Sequence, residues 1–194
     1  MIQYTKFKRR TNMEHIGTQN IETSRLLLRQ FKIDDVDDML KNWVQDEEVT
    51  RFLTWQPHEN KATTINILNE WIHQYEKIDY YNWAIVLKDC QEVIGNIAVV
   101  SHNEKARLAQ IGYCLSRKYW HQGIMTEALN KVIDFLFEQV QYECIQSHHN
   151  IQNPHSGAVM KKCGMKYEGT LRHSDWDNQG VYDACYYSIL RSDK

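Results

Sequence analysis

A chain of 194 residues with 42% hydrophobic and 25% charged residues suits one globular domain built on a single sizeable core. Its net charge of −2 supplies no basic stripe for a nucleic acid, and no run approaches the roughly 20 apolar residues that span a bilayer. The cysteines Cys90, Cys114, Cys144, Cys163 and Cys185 are odd in number and contain no C-x-x-C pair, which argues against a disulfide framework or zinc knuckle and fits a reduced, cytoplasmic compartment.

In chain order, residues 1–20 lack periodicity and read as a flexible N-terminal extension ahead of a single domain over 21–194. No apolar core of the secretion-signal kind occurs there. Lys6, Lys8, Arg9 and Arg10 make the extension basic, as a solvated arm or a contact for an anionic partner. Residues 25–29 read as a short strand. Asp34 then looks like the N-cap of a helix whose buried face carries Val36, Met39, Leu40 and Trp43. A second helix is expected over Thr64–Tyr75, with Ile65, Leu68, Ile72 and Tyr75 at helical spacing.

The period then changes. Trp83–Leu87 and Val93–Val100 flank a polar turn and predict an antiparallel hairpin. Leu108–Ser116 predicts a strand with Ala109, Ile111, Tyr113 and Leu115 on one face. An amphipathic helix follows Gly123, its apolar residues Met125, Leu129, Val132, Ile133, Leu136 and Val140 spaced by three and four. A short strand over Tyr142–Ser147 precedes a helix from about Asn153 to Lys162, which Gly164 is placed to end in the left-handed conformation. Strands over Met165–Leu171 and Ala184–Leu190 close the chain, joined by a polar loop, His173–Gly180. With no Gly/Ser-rich linker to divide it, this order predicts one α/β (α+β) domain with a mixed sheet.

The segment 115–128 carries the strongest chemical signal. A strand runs into a short loop containing Gly123, and a long helix starts at once. The first N–H groups of a helix have no intrahelical partners and lie at its positive end, so a phosphate or pyrophosphate is a natural guest. Glycine lets the backbone approach that guest closely. A glycine before a helix is, however, more often a plain strand-to-helix connection than an anion site.

Residues Tyr119-Trp120-His121-Gln122-Gly123-Ile124-Met125-Thr126-Glu127-Ala128 resemble the coenzyme A pyrophosphate loop of the GNAT superfamily of N-acetyltransferases, whose pattern is Arg/Gln-x-x-Gly-x-Gly/Ala. The branch of ribosomal-protein alanine and serine N-acetyltransferases commonly has a Trp followed by G-K-G-Y-A-T-E-A. This chain is similar in keeping Trp120, Gly123, Thr126, Glu127 and Ala128, and departs with Trp120 for Arg/Gln and Met125 for Gly/Ala. Downstream, Asn153-Pro154-His155-Ser156 and Lys162-Cys163-Gly164-Met165 resemble that branch's N-x-x-S and K-x-G-F segments. Glu168-Gly169, Arg172, Gly180 and Asp183 fall on its ending, and residues 22–29 on its opening strand. The resemblance covers about residues 21–190.

The resemblance implies a GNAT-like fold: a mixed, mostly antiparallel sheet with a splayed centre and about four flanking helices. It also implies acetyl-CoA as cofactor, no metal, and transfer of the acetyl group to a primary amine. His121, Gln122, Gly123, Ile124, Met125 and Thr126 would then hold the pyrophosphate. Tyr113, Cys114 and Leu115 would line the pantetheine arm, with a backbone N–H near Leu115 facing the thioester carbonyl, and Asn153 and Ser156 would complete the cofactor site.

An amine attacks a thioester only when neutral, and reference pKa values near 10.4 for lysine and about 8 for an α-amine demand a proton acceptor. Asp175 takes that role by position, standing where the branch carries a glutamate; the alternative is a solvated loop carboxylate. Asp177 and Glu127 are weaker candidates, Glu127 because it also complements a helix N-terminus. Ser156 matches the serine proposed to sit beside the sulfur; the alternative is a helix N-cap, a role open to Asn153 instead. A tyrosine used by another superfamily group is replaced here by Met160. His148, His149 and His155 lie close in sequence, but adjacent strand residues point to opposite faces and nothing else in the spacing supports a metal. Trp43, Trp55, Trp71, Trp83 and Tyr75 read as core and cleft wall.

The acceptor cleft is expected from Gln45–His58, the second helix and the His173–Gly180 loop. The acceptor is a protein N-terminal α-amine or a small-molecule amine, handled by a monomer or a homodimer. A catalytically silent acyl-CoA-binding sensor or scaffold is the rival reading.

Overall fold

The computed structural model describes residues 13–194, so the basic cluster Lys6–Arg10 lies outside the described residues. Eight strands form one sheet: β1 (Ile21–Glu22), β2 (Leu26–Arg29), β3 (Asn82–Leu87), β4 (Val93–Asn103), β5 (Leu108–Leu115), β6 (Cys144–Asn150), β7 (Lys166–Asp177) and β8 (Gly180–Leu190). They lie in the order β1-β2-β3-β4-β5-β6-β8-β7, and β5–β6 is the single parallel pairing among them. That pair is parallel because the chain between its strands crosses one face as a helix rather than turning back. The helices are α1 (Val36–Met39), α2 (Glu47–Thr50), α3 (Lys61–Gln74), α4 (Ile124–Phe135) and α5 (Pro154–Lys162). Both α1 and α4 run on into a wider π turn, Leu40–Val44 and Leu136–Val140 respectively.

The central strands bury both faces. On one, Ile85, Ile94, Ile97 and Ile111 pack under Leu129, Val132 and Ile133 of α4. On the other, Ala84, Val86 and Val93 lie under Met39 of α1, Trp43 of the π turn that follows it and Leu68 of α3. This explains why β3 reads Trp83-Ala84-Ile85-Val86, an unbroken apolar run, rather than an alternating one. Removing one such side chain, as in Leu129→Ala, costs roughly 2–5 kcal/mol.

Several local expectations change. The first helix is entered through Asp35, which accepts from Lys32 N at 2.8 Å and pairs through both oxygens with Arg29; Asp34 does not cap it. Helix α2 was hidden by its brevity and is capped by Asp46, which accepts from Glu48 N at 3.0 Å. Residues 13–20, expected within the flexible extension, are docked on the domain. Gly17 N donates to Ile78 O at 2.7 Å, Trp83 Nε1 donates to Gln19 O at 2.7 Å, and Thr18 is buried. The loop expected at His173–Gly180 is mostly strand: β7 continues to Asp177 and turns tightly into β8 at Gly180.

One irregularity positions the site. The β5–β6 ladder pairs Leu108, Ala109 and Gln110 with Cys144, Ile145 and Gln146, then stops. Beyond it β5 stays with β4, and β6 stays with β8, so the two strands part. The register of β4 on β5 shifts between Val99 and Ser101, opposite Ile111 and Gln110. A β-bulge of this kind bends and over-twists its strand pair. The Val100 side chain lies over Gly112, where an added Cβ would come within 2.9 Å of it. A glycine at 112 therefore lets the bulge form where the ladder ends.

Candidate active site

The loop between β5 and α4 carries a 3-10 turn at Arg117–Tyr119, an indole hydrogen bond and two left-handed residues. Trp120 Nε1 donates to Leu115 O at 2.8 Å, pinning the indole to the end of β5. His121 at φ 59° and Gly123 at φ 74° then turn the chain into α4. A Cβ at Gly123 would meet only Arg25 Nη2, at 3.8 Å, so the backbone conformation and not lack of space calls for glycine. His121, Gln122 and Gly123 are exposed. Ile124 and Met125 bury their side chains in the core and offer only backbone N–H groups. Thr126 sits within α4, its carbonyl 3.5 Å from the Cys163 thiol. Free N–H groups, a left-handed glycine and an open approach together fit a diphosphate.

The opening between β5 and β6 has different chemistry on its two faces. Ser116 N donates to Ile94 O at 2.8 Å. The alternation of an antiparallel pair then turns the N–H groups of Tyr113 and Leu115 away from β4, toward the opening. On the α4–α5 face, the Tyr113 hydroxyl donates to Ser156 O at 3.0 Å and lies 3.0 Å from Ser156 Oγ. Burial pushes the Tyr113 phenol well above its ordinary range, so it stays neutral. Ser156 occupies the third position of α5, which excludes the N-cap alternative, and the Asn153 side chain makes no capping bond at the helix start. Helix α5 rests directly on β6: a Cβ at Gly157 would come within 2.4 Å of His149 Nε2. Cys114 projects to the opposite face, its thiol 2.9 Å from Asn96 Oδ1 and pushed by burial up to about 12.

Asp175 is on the other face, in β7 rather than a loop. Its Oδ2 lies 2.5 Å from His148 Nε2, and its Oδ1 accepts from Trp176 N at 2.8 Å. His148 stacks on Tyr186 at 5.0 Å and has Tyr182 at 6.5 Å. Gln110 Nε2 lies 2.8 Å from His148 Nδ1, and Gln110 Oε1 accepts from Ser101 Oγ at 3.2 Å. The Ser101 bond orients the amide, the amide donates to Nδ1, and Nε2–H is left to donate to Asp175; the tautomer follows from this network. Gln110 is the last β5 residue laddered to β6, so the bond to His148 spans the strands where they part. Burial, with the Asp175 carboxylate second, pushes the Tyr182 phenol up.

Sequence reasoning singled out Asp175 and did not connect it to His148, Gln110 and Ser101. The legible signal was period two on β6, where Gln146, His148 and Asn150 share the face opposite Ile145, Ser147 and His149. The weaker base candidates are engaged in other bonds. Asp177 is buried and accepts from Asn150 Nδ2 at 2.8 Å. Glu127 accepts from Arg25 Nε at 2.7 Å and from Thr23 Oγ1 at 2.5 Å. Asn178 Nδ2 donates to Thr50 O and Trp55 O, each at 2.9 Å, tying the β7–β8 turn to the end of α2 and the chain that follows it. Trp43, Trp83 and Tyr75 are core or near-core residues, Trp43 and Trp83 fully buried.

Comparison with known proteins bears on the family of the chain. The profile of the Acetyltransferase (GNAT) domain matches residues 25–166. The chain is 29% identical over 171 residues to the uncharacterized N-acetyltransferase YoaA of Bacillus subtilis, covering 88% of this chain and 96% of that one. It is 26% identical over 154 residues to the ribosomal-protein-serine acetyltransferase of Escherichia coli, covering 77% and 80%. Among solved structures, the microcin C7 self-immunity acetyltransferase MccE, in complex with acetyl-CoA and AMP, superposes with a TM-score of 0.77 at 19% identity, covering 87% of this chain and 93% of that one. With the domain profile spanning most of its length, the chain belongs to the GNAT family of acetyltransferases, enzymes that take their acetyl group from acetyl-CoA.

Proposed function

We propose that this protein transfers the acetyl group of acetyl-CoA to a primary amine that approaches Asp175 on the α1–α3 face of the β5–β6 opening. Bound acetyl-CoA supplies the acetyl thioester; the chain supplies position and proton traffic. The N–H groups at the start of α4, with the left-handed Gly123, hold the diphosphate. The Tyr113 and Leu115 N–H groups line the opening and offer donors to the thioester carbonyl. Ser156, held by the neutral Tyr113, offers its hydroxyl to the leaving sulfur. Asp175 takes the proton of the attacking amine, and His148 holds that carboxylate in place.

The observation that carries this reading is the placement of a donor-held carboxylate on one face of a strand opening and a donor hydroxyl on the other. The acceptor is a protein N-terminal α-amine or a small-molecule amine. The E. coli relative, named for a ribosomal-protein serine, favours the first. Thiol release from acetyl-CoA is measured against peptide N-termini and small amines, with Asp175→Asn alongside. Turnover of one class that collapses in the variant supports the proposal. Acetyl-CoA binding without transfer to any amine, unchanged by Asp175→Asn or Ser156→Ala, replaces it with a silent acyl-CoA-binding module.

A further inference from the structure

Glu127 stands in the first turn of α4, at the same positive helix end that faces the diphosphate. A carboxylate there is favourable for the helix, yet it competes with a bound anion for the same potential. The structure answers that conflict with Arg25. Its Nε donates to Glu127 Oε2 at 2.7 Å, and its Nη2 lies 2.6 Å from the same carboxylate. Thr23 Oγ1, Ser24 Oγ and Arg25 N all donate to Glu127 Oε1, at 2.5, 3.2 and 3.1 Å. Burial alone would raise the Glu127 carboxyl, but the bonds from Thr23 and Arg25 outweigh it and hold the group below its ordinary value. It is an ionised charge beside an anion site.

Arg25 also reaches the loop itself. Its Nη1 donates to Gln122 O at 3.1 Å. In a planar trans peptide the carbonyl and the following N–H point in opposite directions. Turning the Gln122 carbonyl onto Arg25 therefore turns the Gly123 N–H away from it. The Arg25 side chain is still 45% exposed, and its Nη2 lies 3.8 Å from where a Cβ of Gly123 would stand.

We propose that Arg25 is a positioning residue for acetyl-CoA: it neutralises Glu127 at the mouth of α4 and sets the Gln122–Gly123 peptide so that its N–H serves the cofactor. The inference rests on the Gly123 loop being the diphosphate site. It explains why the β1–β2 turn is fastened there by an arginine whose Nε and Nη2 both reach Glu127 Oε2 while Nη1 reaches Gln122 O, a spread of donors that lysine cannot reproduce.

The test is calorimetric titration with acetyl-CoA of the full chain, its Arg25→Gln, Arg25→Lys and Glu127→Gln variants, the Arg25→Gln/Glu127→Gln double variant, and Gly123→Glu. Arg25→Gln is expected to weaken binding about ten-fold at low salt, and Arg25→Lys less, with the loss shrinking as added salt screens the charge. The same Arg25→Gln change made in the Glu127→Gln background is expected to cost no more than about three-fold, because the charge it unmasks is gone. Turnover at saturating acetyl-CoA holds while KM for acetyl-CoA rises. An equal, salt-independent loss in both backgrounds would mean that Arg25 is a structural tie, and overturns the proposal. Wild-type affinity in Arg25→Gln with binding lost in Gly123→Glu overturns it as well. Wild-type affinity in Gly123→Glu removes the diphosphate site and the inference with it.

Discussion

Two neighbouring histidines on β6 meet opposite surroundings. His148 points to the α1–α3 face, where a glutamine amide and the Asp175 carboxylate take its two nitrogens. His149 points to the α5 face, buried against Tyr187, with Nδ1 2.8 Å from Asn150 O and Nε2 directly under Gly157. Burial lowers the His149 pKa and keeps that ring neutral. The difference divides the site. The His148 face gathers a carboxylate able to accept a proton. The His149 face carries neutral hydroxyls, Tyr113 and Ser156, able to donate one. An attacking amine and a departing thiol need those opposite services, and one strand opening gives access to both.

The comparison is broken most severely from the acceptor face. Asp175→Asn keeps the shape and removes the base, so kcat is expected to fall about 10²-fold or more while acetyl-CoA affinity stays as it was. Steady-state kinetics beside titration separate the two. On the donor face, Ser156→Ala is expected to lower kcat about ten-fold, the scale of one hydrogen bond to a charged group. Unchanged turnover would remove Ser156 from the mechanism. His148 acts only through Asp175, so His148→Ala should cost less than the loss of the carboxylate itself. His148→Asn, which can still donate to it, should recover part of the rate.

Two further changes address stability. Gly157→Ala drives a methyl into His149, and overpacking of this kind costs about 1–3 kcal/mol. Thermal unfolding reads the cost, and a fall in kcat shows whether lifting α5 displaces Ser156. The smallest effect is with pH. The folded protein holds His149, and likewise buried His58, below the ordinary 6.5, so below that pH the unfolded chain binds more protons. Stability is therefore expected to fall as the pH drops from 7.5 to 5.5. A melting temperature that rises on acidification would contradict a neutral, buried His149.

Much of this frame was legible in the residues. The spacing of Met125, Leu129, Val132 and Ile133 marked α4, the runs at Trp83 and Val93 marked an antiparallel hairpin, and Gly164, at φ 81°, ended α5 as expected. These are local signals, written within a few turns of chain. Period two on β6 gave the face of His148, but its meeting with Asp175 was not legible, because it depends on the register of β6 on β8 and of β8 on β7, in which Asp175 stands opposite Tyr182. That register is reached through bulges between Tyr167 and Gly169 and between Leu171 and Asp175, and the polar composition of the segment masked its strand character. The docking of residues 13–20 was equally hidden, since it is made by single hydrogen bonds and one buried threonine rather than by a periodic face. Arg25 was read as the start of a strand, and its reach to Glu127 and Gln122 follows only from the fold.

The most direct test of the account is a single-turnover experiment: protein loaded with acetyl-CoA is mixed with an acceptor amine, and acetyl transfer is followed for the wild type and for Asp175→Asn. The account predicts rapid transfer by the wild type and a rate lower by about 10²-fold in the variant, with the same fraction of protein loaded. Equal transfer rates in the two proteins at every pH would contradict it, and the proton acceptor would have to be sought away from the His148 face.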